Sequence, residues 1–202
     1  MSTVVTIIVV VLVLAGVAAY FLWRGGRLGS RSNAKNFQRR YGREYDRLYA
    51  THGDHAAVEQ ELEQRERDRS GLTIRELDAA DRERLAEAWA SAQANFVEDP
   101  GGSARRAEQL VGETLALRGY PAEDPERQLA LASVDHAHSL AEFRDGHELL
   151  QRSNTGALDV DATEQLRQAM LRSRVFFDDL VGGGVTKSTA RRDRDETERV
   201  VA

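Results

Sequence analysis

An uncharged apolar run over residues 4–23, VVTIIVVVLVLAGVAAYFLW, constrains this chain more than any other feature of its sequence. A helix rises about 1.5 Å per residue, so a run of this length reaches roughly 30 Å, which matches the hydrocarbon core of a bilayer. The sequence therefore predicts a transmembrane anchor over residues 1–23, with a much more polar chain following it.

Two other interpretations compete with a permanent anchor. A buried helix of a soluble protein rarely stays apolar on every face for this length. A cleaved signal peptide normally has a positive n-region and a shorter apolar run. Residues 1–3 carry no positive side chain, although Val-Ala-Ala at 17–19 is compatible with a weak cleavage site. Because Tyr20 and Trp23 fit the aromatic belt at a membrane interface, we favour an uncleaved single span.

The juxtamembrane segment, residues 24–43, is basic and predicts the orientation of the chain. By the positive-inside rule, the bulk of the chain is expected to face the cytoplasm; export of the whole domain is the alternative topology. Anionic lipid headgroups attract each nearby basic residue by about 1 kcal/mol, although these residues could instead act only in setting topology. The seven basic residues, with no acidic residue among them, are Arg24, Arg27, Arg31, Lys35, Arg39, Arg40 and Arg43.

The rest of the chain has the opposite charge. Residues 44–202 hold 21 basic and 33 acidic side chains, a net charge of −12, which is repelled by nucleic acid. The absence of cysteine excludes disulfide and thiolate chemistry. Three prolines and few β-branched residues after the anchor favour an all-α fold.

Residues 44–181 are predicted to form a compact bundle of five to seven amphipathic helices, because apolar stripes alternate with short polar connections. A stacked helical repeat is the alternative, although no fixed period is present. The polar residues 182–202 are expected to be a disordered tail. Four aspartates precede helical stretches in positions that cap a helix: Asp54, Asp78, Asp99 and Asp124.

An aromatic stripe precedes the bundle. Phe37, Tyr41, Tyr45 and Leu48 are spaced by four, four and three residues, which predicts one helix continuing to about Ala50. The apolar side of this helix is either part of the core or lies at the membrane interface.

Three motifs are found in the bundle: Trp89-x-x-x-Gln93-x-x-Phe96-Val97-x-Asp99-Pro100, Arg118-Gly119-Tyr120-Pro121 and Ser133-Val134-Asp135-His136. With the opening Arg40-Tyr41-Gly42-x-Glu44-Tyr45-Asp46, they resemble a family of small bacterial proteins usually labelled only as hypothetical, membrane or secreted proteins. The resemblance covers about residues 37–180. It implies no activity, and the secreted label of some relatives favours the exported topology.

The histidines are the first candidates for metal binding or catalysis, and their spacing argues against both. His136 and His138 lie about 200° apart around a helix, and His136 and His147 lie roughly 16 Å apart along it, too far to share a metal. Ser133, Asp135 and His136 are triad residue types, but neighbours on one helix cannot align as nucleophile, base and orienter. We expect no metal and no cofactor, with Asp135 capping a helix and His136 hydrogen-bonded at the edge of the core.

The sequence therefore favours a membrane-anchored binding or scaffolding module whose bundle faces the cytoplasm and binds a protein partner. An exported, membrane-tethered envelope protein is the first alternative, and an enzyme is the second. No catalytic residue is assigned. The candidate functional surface, where an enzyme's site would also lie, consists of Trp89, Gln93, Tyr120, Asp135 and His136.

Overall fold

The computed structural model describes residues 30–153 and 160–182, and within these ranges the chain is all-helical. The predicted helical bundle is confirmed. Seven α-helices occur in the described ranges, with one 3-10 turn at Asn95–Val97 between the fourth and the fifth. The helices are α1 (Ser30–Tyr41), α2 (Arg43–His52), α3 (His55–Ser70), α4 (Ala79–Ala94), α5 (Pro100–Arg118), α6 (Pro125–Ser153) and α7 (Val160–Val181).

The predicted anchor and most of its interface residues lie outside the described residues. This holds for Tyr20, Trp23, Arg24 and Arg27, and for the predicted tail beyond Gly182. Arg31 belongs to α1, and Lys35 is exposed on that helix. Across residues 30–153 and 160–182, no helix is both long enough and apolar enough to span a bilayer.

The aspartates predicted to be N-caps do begin their helices. In each case a side-chain carboxylate oxygen accepts a hydrogen bond from a backbone N–H of the first turn, which has no partner within the helix. The donor residues and distances are Ala56 to Asp54 (3.4 Å), Asp81 to Asp78 (2.7 Å), Gly102 to Asp99 (2.8 Å) and Arg127 to Asp124 (3.1 Å).

The main core lies where α5, α6 and α7 pack together, with α4 packed on α5. Helical spacing places the apolar side chains of each helix on its inward face, as in an ordinary bundle. Leu110 and Leu115 of α5 meet Leu140 and Phe143 of α6 and the Phe176–Phe177 pair of α7. Burial of these side chains contributes about 1.5–3 kcal/mol each.

The aromatic stripe is part of a second, smaller core and not exposed at a surface. Tyr41 and Tyr45 are fully buried with Val58 and Leu62 of α3 and Ala137 of α6. Phe37 and Leu48 pack against this cluster and are partly buried. Of the two interpretations of the stripe, the core is therefore the one that the structure supports.

The prediction of a single helix through this stripe is wrong, because the chain forms two helices, α1 and α2, that are separated at Gly42. Gly42 has φ +53° and ψ −125°, a conformation that L side chains rarely adopt. A Cβ atom at this position would also lie 3.2 Å from Cε1 of His138. The chain therefore turns at Gly42, and α2 starts in a new direction against α6.

A buried carboxylate joins three helices directly after this turn. Glu44 of α2 is 1 % exposed. Its Oε1 lies 3.3 Å from Nη1 of Arg65 on α3, and its Oε2 lies 3.2 Å from Nε of Arg144 on α6. Because an unpaired buried charge is strongly destabilising, the two arginines must be in place for α2 to dock.

Replacement of Glu44 by glutamine is expected to lower the free energy of unfolding by about 3 kcal/mol, because it leaves two mostly buried guanidinium groups without their shared carboxylate. Asp46→Asn is the matched control: Asp46 is exposed on the same helix and accepts only a side-chain hydrogen bond from Gln38, at 3.2 Å. Its expected cost is below about 1 kcal/mol. Denaturant unfolding of the full chain in detergent measures both, and equal losses would contradict the role given to Glu44.

Candidate functional sites

The five residues of the candidate functional surface do not form one site. Trp89 and Gln93 lie on α4 where it faces α7, whereas Asp135 and His136 lie in the middle of α6. Tyr120 follows α5 and contacts Asp135.

Helix α6 is kinked at His136, where φ is −131° and ψ is 30°. Asp135 does not act as the expected helix cap: its Oδ2 accepts a hydrogen bond from the Tyr120 hydroxyl at 2.8 Å and another from Nε of Arg69. Burial, followed by the neighbouring Asp135 carboxylate, raises the pKa of the Tyr120 hydroxyl, which therefore stays protonated as a donor. This cluster ties α3 and the end of α5 to the kink.

His136 is hydrogen-bonded, as predicted, but it lies inside the core and not at its edge. The imidazole has no exposed surface, and its Nδ1 lies 2.8 Å from Oδ2 of Asp179 on α7. The Ser139 hydroxyl donates to the same oxygen at 2.6 Å. Burial alone would raise the pKa of the Asp179 carboxyl, but the hydrogen bonds from His136 and Ser139 outweigh it and hold that pKa below its usual range. A substrate in solution cannot contact this imidazole.

The Arg118-Gly119-Tyr120-Pro121 motif also has a structural role. Arg118 is 1 % exposed and donates a hydrogen bond from Nη1 to the Leu180 carbonyl at 2.8 Å, which fixes the end of α7 to the end of α5. Gly119 has φ +100°, and a Cβ there would lie 2.6 Å from the Thr73 carbonyl oxygen. Glycine is therefore needed at position 119, because α5 ends there with a positive φ and because the backbone of Thr73 lies too close for a side chain.

The first opening to solvent is a groove between α4 and α7, which we call the tryptophan groove. It has a volume of about 180 Å³. The Trp89 ring stacks on Phe177 with centroids 4.6 Å apart, and the Arg174 guanidinium lies 5.2 Å from the Trp89 centroid. The buried indole Nε1 has no hydrogen-bond acceptor within the described residues. The lining residues are Trp89, Gln93, Phe96, Arg167, Met170, Leu171 and Arg174.

The second opening is a cleft between α5 and α6, which we call the Glu108 cleft and which the sequence reasoning missed. Its volume is about 340 Å³, and Val111, Leu129 and Phe143 supply apolar walls. Both carboxylate oxygens of Glu108 lie 3.1 Å from Nδ1 of His147. Thirty-nine positions separate these two residues, so no local motif could have paired them.

Burial raises the pKa of the Glu108 carboxyl, and His147 opposes that rise without cancelling it. The carboxylate therefore lies in surroundings that compensate its charge incompletely. Across the described residues, no group of three or more histidine, aspartate or glutamate side chains is placed to hold a metal ion.

Asp179→Asn is expected to lower the free energy of unfolding by about 2 kcal/mol at neutral pH, because a charge-assisted hydrogen bond to buried His136 is weakened. A carboxyl whose folded pKa is lowered stabilises the fold above its unfolded pKa, about 3.9, and loses that effect as the pH falls through the folded value. The difference between variant and wild type should therefore be smaller at an acid pH below about 3.9 than at neutral pH. Denaturant unfolding at both pH values measures it.

The control is Asp178→Asn, since Asp178 is the exposed neighbour that pairs with Arg174 across one helical turn. Its expected cost is below about 0.5 kcal/mol. A loss at Asp179 that stays the same at low pH would contradict an ionised Asp179 as the stabilising group.

Comparison of the chain with protein-family models, with curated proteins and with solved structures found no match. The resemblance of the three motifs to a family of small bacterial proteins therefore stays a prediction.

Proposed function

We propose that this chain is a single-pass membrane protein whose helical bundle binds a partner protein at the cytoplasmic face of the membrane. The apolar run over residues 4–23 and the basic residues that follow it support the anchor and its orientation. The same basic segment would lie beside anionic headgroups, while the acidic bundle is repelled from them. The bundle is thus held near the membrane with its sides free to bind.

The tryptophan groove is the observation that carries the binding proposal. Leu171 and Val175 of α7 are 46 % and 49 % exposed, and they lie one helical turn apart beside the groove. Exposed apolar side chains next to a concave surface are typical of protein interaction sites. The unsatisfied Trp89 indole N–H adds a buried donor, which costs free energy until an acceptor is supplied.

The charge of the groove indicates the kind of partner. Arg167 and Arg174 flank Leu171 on α7, and Arg174 covers the Trp89 ring. Arg167 pairs with Glu164 and Arg174 with Asp178, each at 2.7 Å, but exposed pairs one turn apart contribute little and can be exchanged for carboxylates of a partner. An amphipathic helix with one apolar anchor and acidic residues beside it would fill the groove, pair with these arginines and present an acceptor to Trp89. The occupant that we propose is therefore an acidic amphipathic helix of another membrane-associated protein.

The enzymatic alternative is disfavoured by the same geometry. A general base must lie within hydrogen-bond reach of its substrate. His136 has no exposed side-chain surface, and its Nδ1 is engaged by Asp179. Asp135 is likewise engaged by Tyr120 and Arg69. These residues hold α6 in its kinked form and are not available to a reacting group.

Photo-crosslinking from the groove tests this proposal. With benzoylphenylalanine in place of Leu171 in the full chain, membranes of the native cells should yield an adduct with one acidic partner. Arg174→Glu should reduce the yield at least fivefold, because about 1 kcal/mol of charge complementarity is reversed. Mass spectrometry of the adduct identifies the partner and the contacted segment.

The matched control places the crosslinker at Glu63, an exposed polar position on α3. Equal crosslinking yields at Leu171 and at Glu63 would indicate random encounters and would contradict specific docking in the groove. An adduct with a second copy of this chain, or with a basic segment, would contradict the acidic helix as the occupant. An unchanged yield in Arg174→Glu would contradict the part given to charge.

A further inference from the structure

The Glu108 cleft has the dimensions of a small-molecule site. Ligand pockets in proteins usually measure about 300–1,000 Å³ and are mostly apolar with a few polar groups. The cleft measures about 340 Å³, near the lower limit, which suits a ligand with a single ring. Leu129 and Phe143 of α6 contribute apolar surface from the two sides of the α6 kink, and Val111 of α5 lies fully buried behind them.

The charged groups of the cleft favour a cation. Three carboxylates line it, those of Glu108, Glu126 and Glu148, together with the guanidinium groups of Arg47 and Arg144. Glu148 pairs with Arg47, and Glu126 lies 3.7 Å from Arg144, so among the described residues Glu108 is the lining carboxylate without an arginine partner. Both guanidinium groups are already paired with carboxylates, Arg47 with Glu148 at 2.9 Å and Arg144 with Glu44 at 3.2 Å. An anionic ligand would have to compete with those pairs.

Glu108 is the carboxylate that a cation would neutralise. Its side chain is 17 % exposed, and the group that contacts it is His147, whose imidazole carries a charge only when protonated. A protonated amine that replaces water beside Glu108 would supply a full positive charge at a partly desolvated site, where such pairing is stronger than at an open surface. The Phe143 ring in the same cleft offers a face or edge to the ligand's own ring.

Gln128 provides an independent indication of a ligand. The residue is 5 % exposed and lines the cleft, and its Nε2 has no hydrogen-bond partner within the described residues. Buried amide groups are normally satisfied, and an orphan that borders a cavity is explained when a bound molecule supplies the missing acceptor. A hydroxyl or carbonyl oxygen on the ligand would meet this donor.

From these observations we propose that the Glu108 cleft binds a small aryl-alkyl amine, with its ammonium group at Glu108, its ring against Leu129 and Phe143, and a hydroxyl or carbonyl oxygen at Gln128. The site lies between α5 and α6 and is built from different residues than the tryptophan groove. It therefore adds a small-molecule ligand to the proposed protein-binding function and does not depend on that function.

Calorimetric titration of the full chain in phosphatidylcholine nanodiscs tests the site, with tyramine as the probe. Tyramine carries an ammonium group, one ring and a phenol oxygen, so saturable binding is expected. Two matched compounds lack the cation: 2-(4-hydroxyphenyl)ethanol is neutral, and 3-(4-hydroxyphenyl)propionate is an anion. Both should bind at least tenfold more weakly, and phenethylamine, which lacks the phenol oxygen, should bind several-fold more weakly.

Three variants locate the binding. Glu108→Gln should weaken tyramine binding at least tenfold, and its thermal melt should stay unchanged or rise because a partly buried charge is removed. Leu129→Trp should abolish binding by filling the cleft. Glu113→Gln is the matched control on α5, since Glu113 pairs with Arg106 outside the cleft, and it should bind tyramine as the wild type does.

Four results of these titrations would contradict the proposal. Absence of saturable tyramine heat in the wild type, tighter binding of the propionate, or equal affinity of wild type and a folded Glu108→Gln variant would each overturn the proposal. Heat that persists in Leu129→Trp would show partitioning into lipid and would overturn it as well.

Discussion

The buried carboxylate of Glu44 is the interaction on which the arrangement of the N-terminal half depends. A charge with 1 % exposure is tolerated only when opposite charges reach it, so α3 and α6 must present Arg65 and Arg144 together. The same two arginines extend the constraint: Arg65 also donates to Ser133 just before the α6 kink at 3.3 Å, and Arg144 lines the Glu108 cleft. One ion-pair network thus joins α2, α3 and α6 and supplies one wall of a cleft.

The polar residues around the kink complete this framework, and they include Asp135 and His136, two residues of the Ser133-Val134-Asp135-His136 motif that were considered for catalysis. Asp135 binds Tyr120 and Arg69, while His136 binds Asp179. Both residues lie at the point where the 29-residue helix α6 departs from helical geometry. A kink in a long helix has an identifiable cause, and here it is the set of side chains that the kinked form satisfies. The two surfaces for which we propose functions, the tryptophan groove and the Glu108 cleft, lie on the helices that this framework positions.

Local chemistry could be predicted from the sequence, and long-range pairing could not. Asp78 and Asp99 cap helices through bonds that span three residues, and the alternation of apolar stripes with short polar connections is enough to predict a helical bundle. The turn at Gly42 was missed because a glycine inside an apolar stripe does not by itself indicate a positive φ, and His138, which would crowd a side chain there, lies far along the chain. Trp89 lines a groove, but the motif that contains it gave no sign that α7 forms the opposite wall. Glu108 and His147 meet only through the packing of α5 on α6, so their pairing had no sequence signal.

We propose that an N-terminal anchor holds the bundle at the cytoplasmic face of the membrane. Site-directed labelling of a single cysteine tests this topology. The chain has no cysteine of its own, and Val97 is 89 % exposed, so Val97→Cys provides one reactive position on the bundle. In intact cells this position should be protected from a membrane-impermeant maleimide and should be labelled after lysis, with the chain remaining in the membrane pellet after alkaline carbonate. Labelling in intact cells would place the bundle outside, and release by carbonate would contradict the anchor itself.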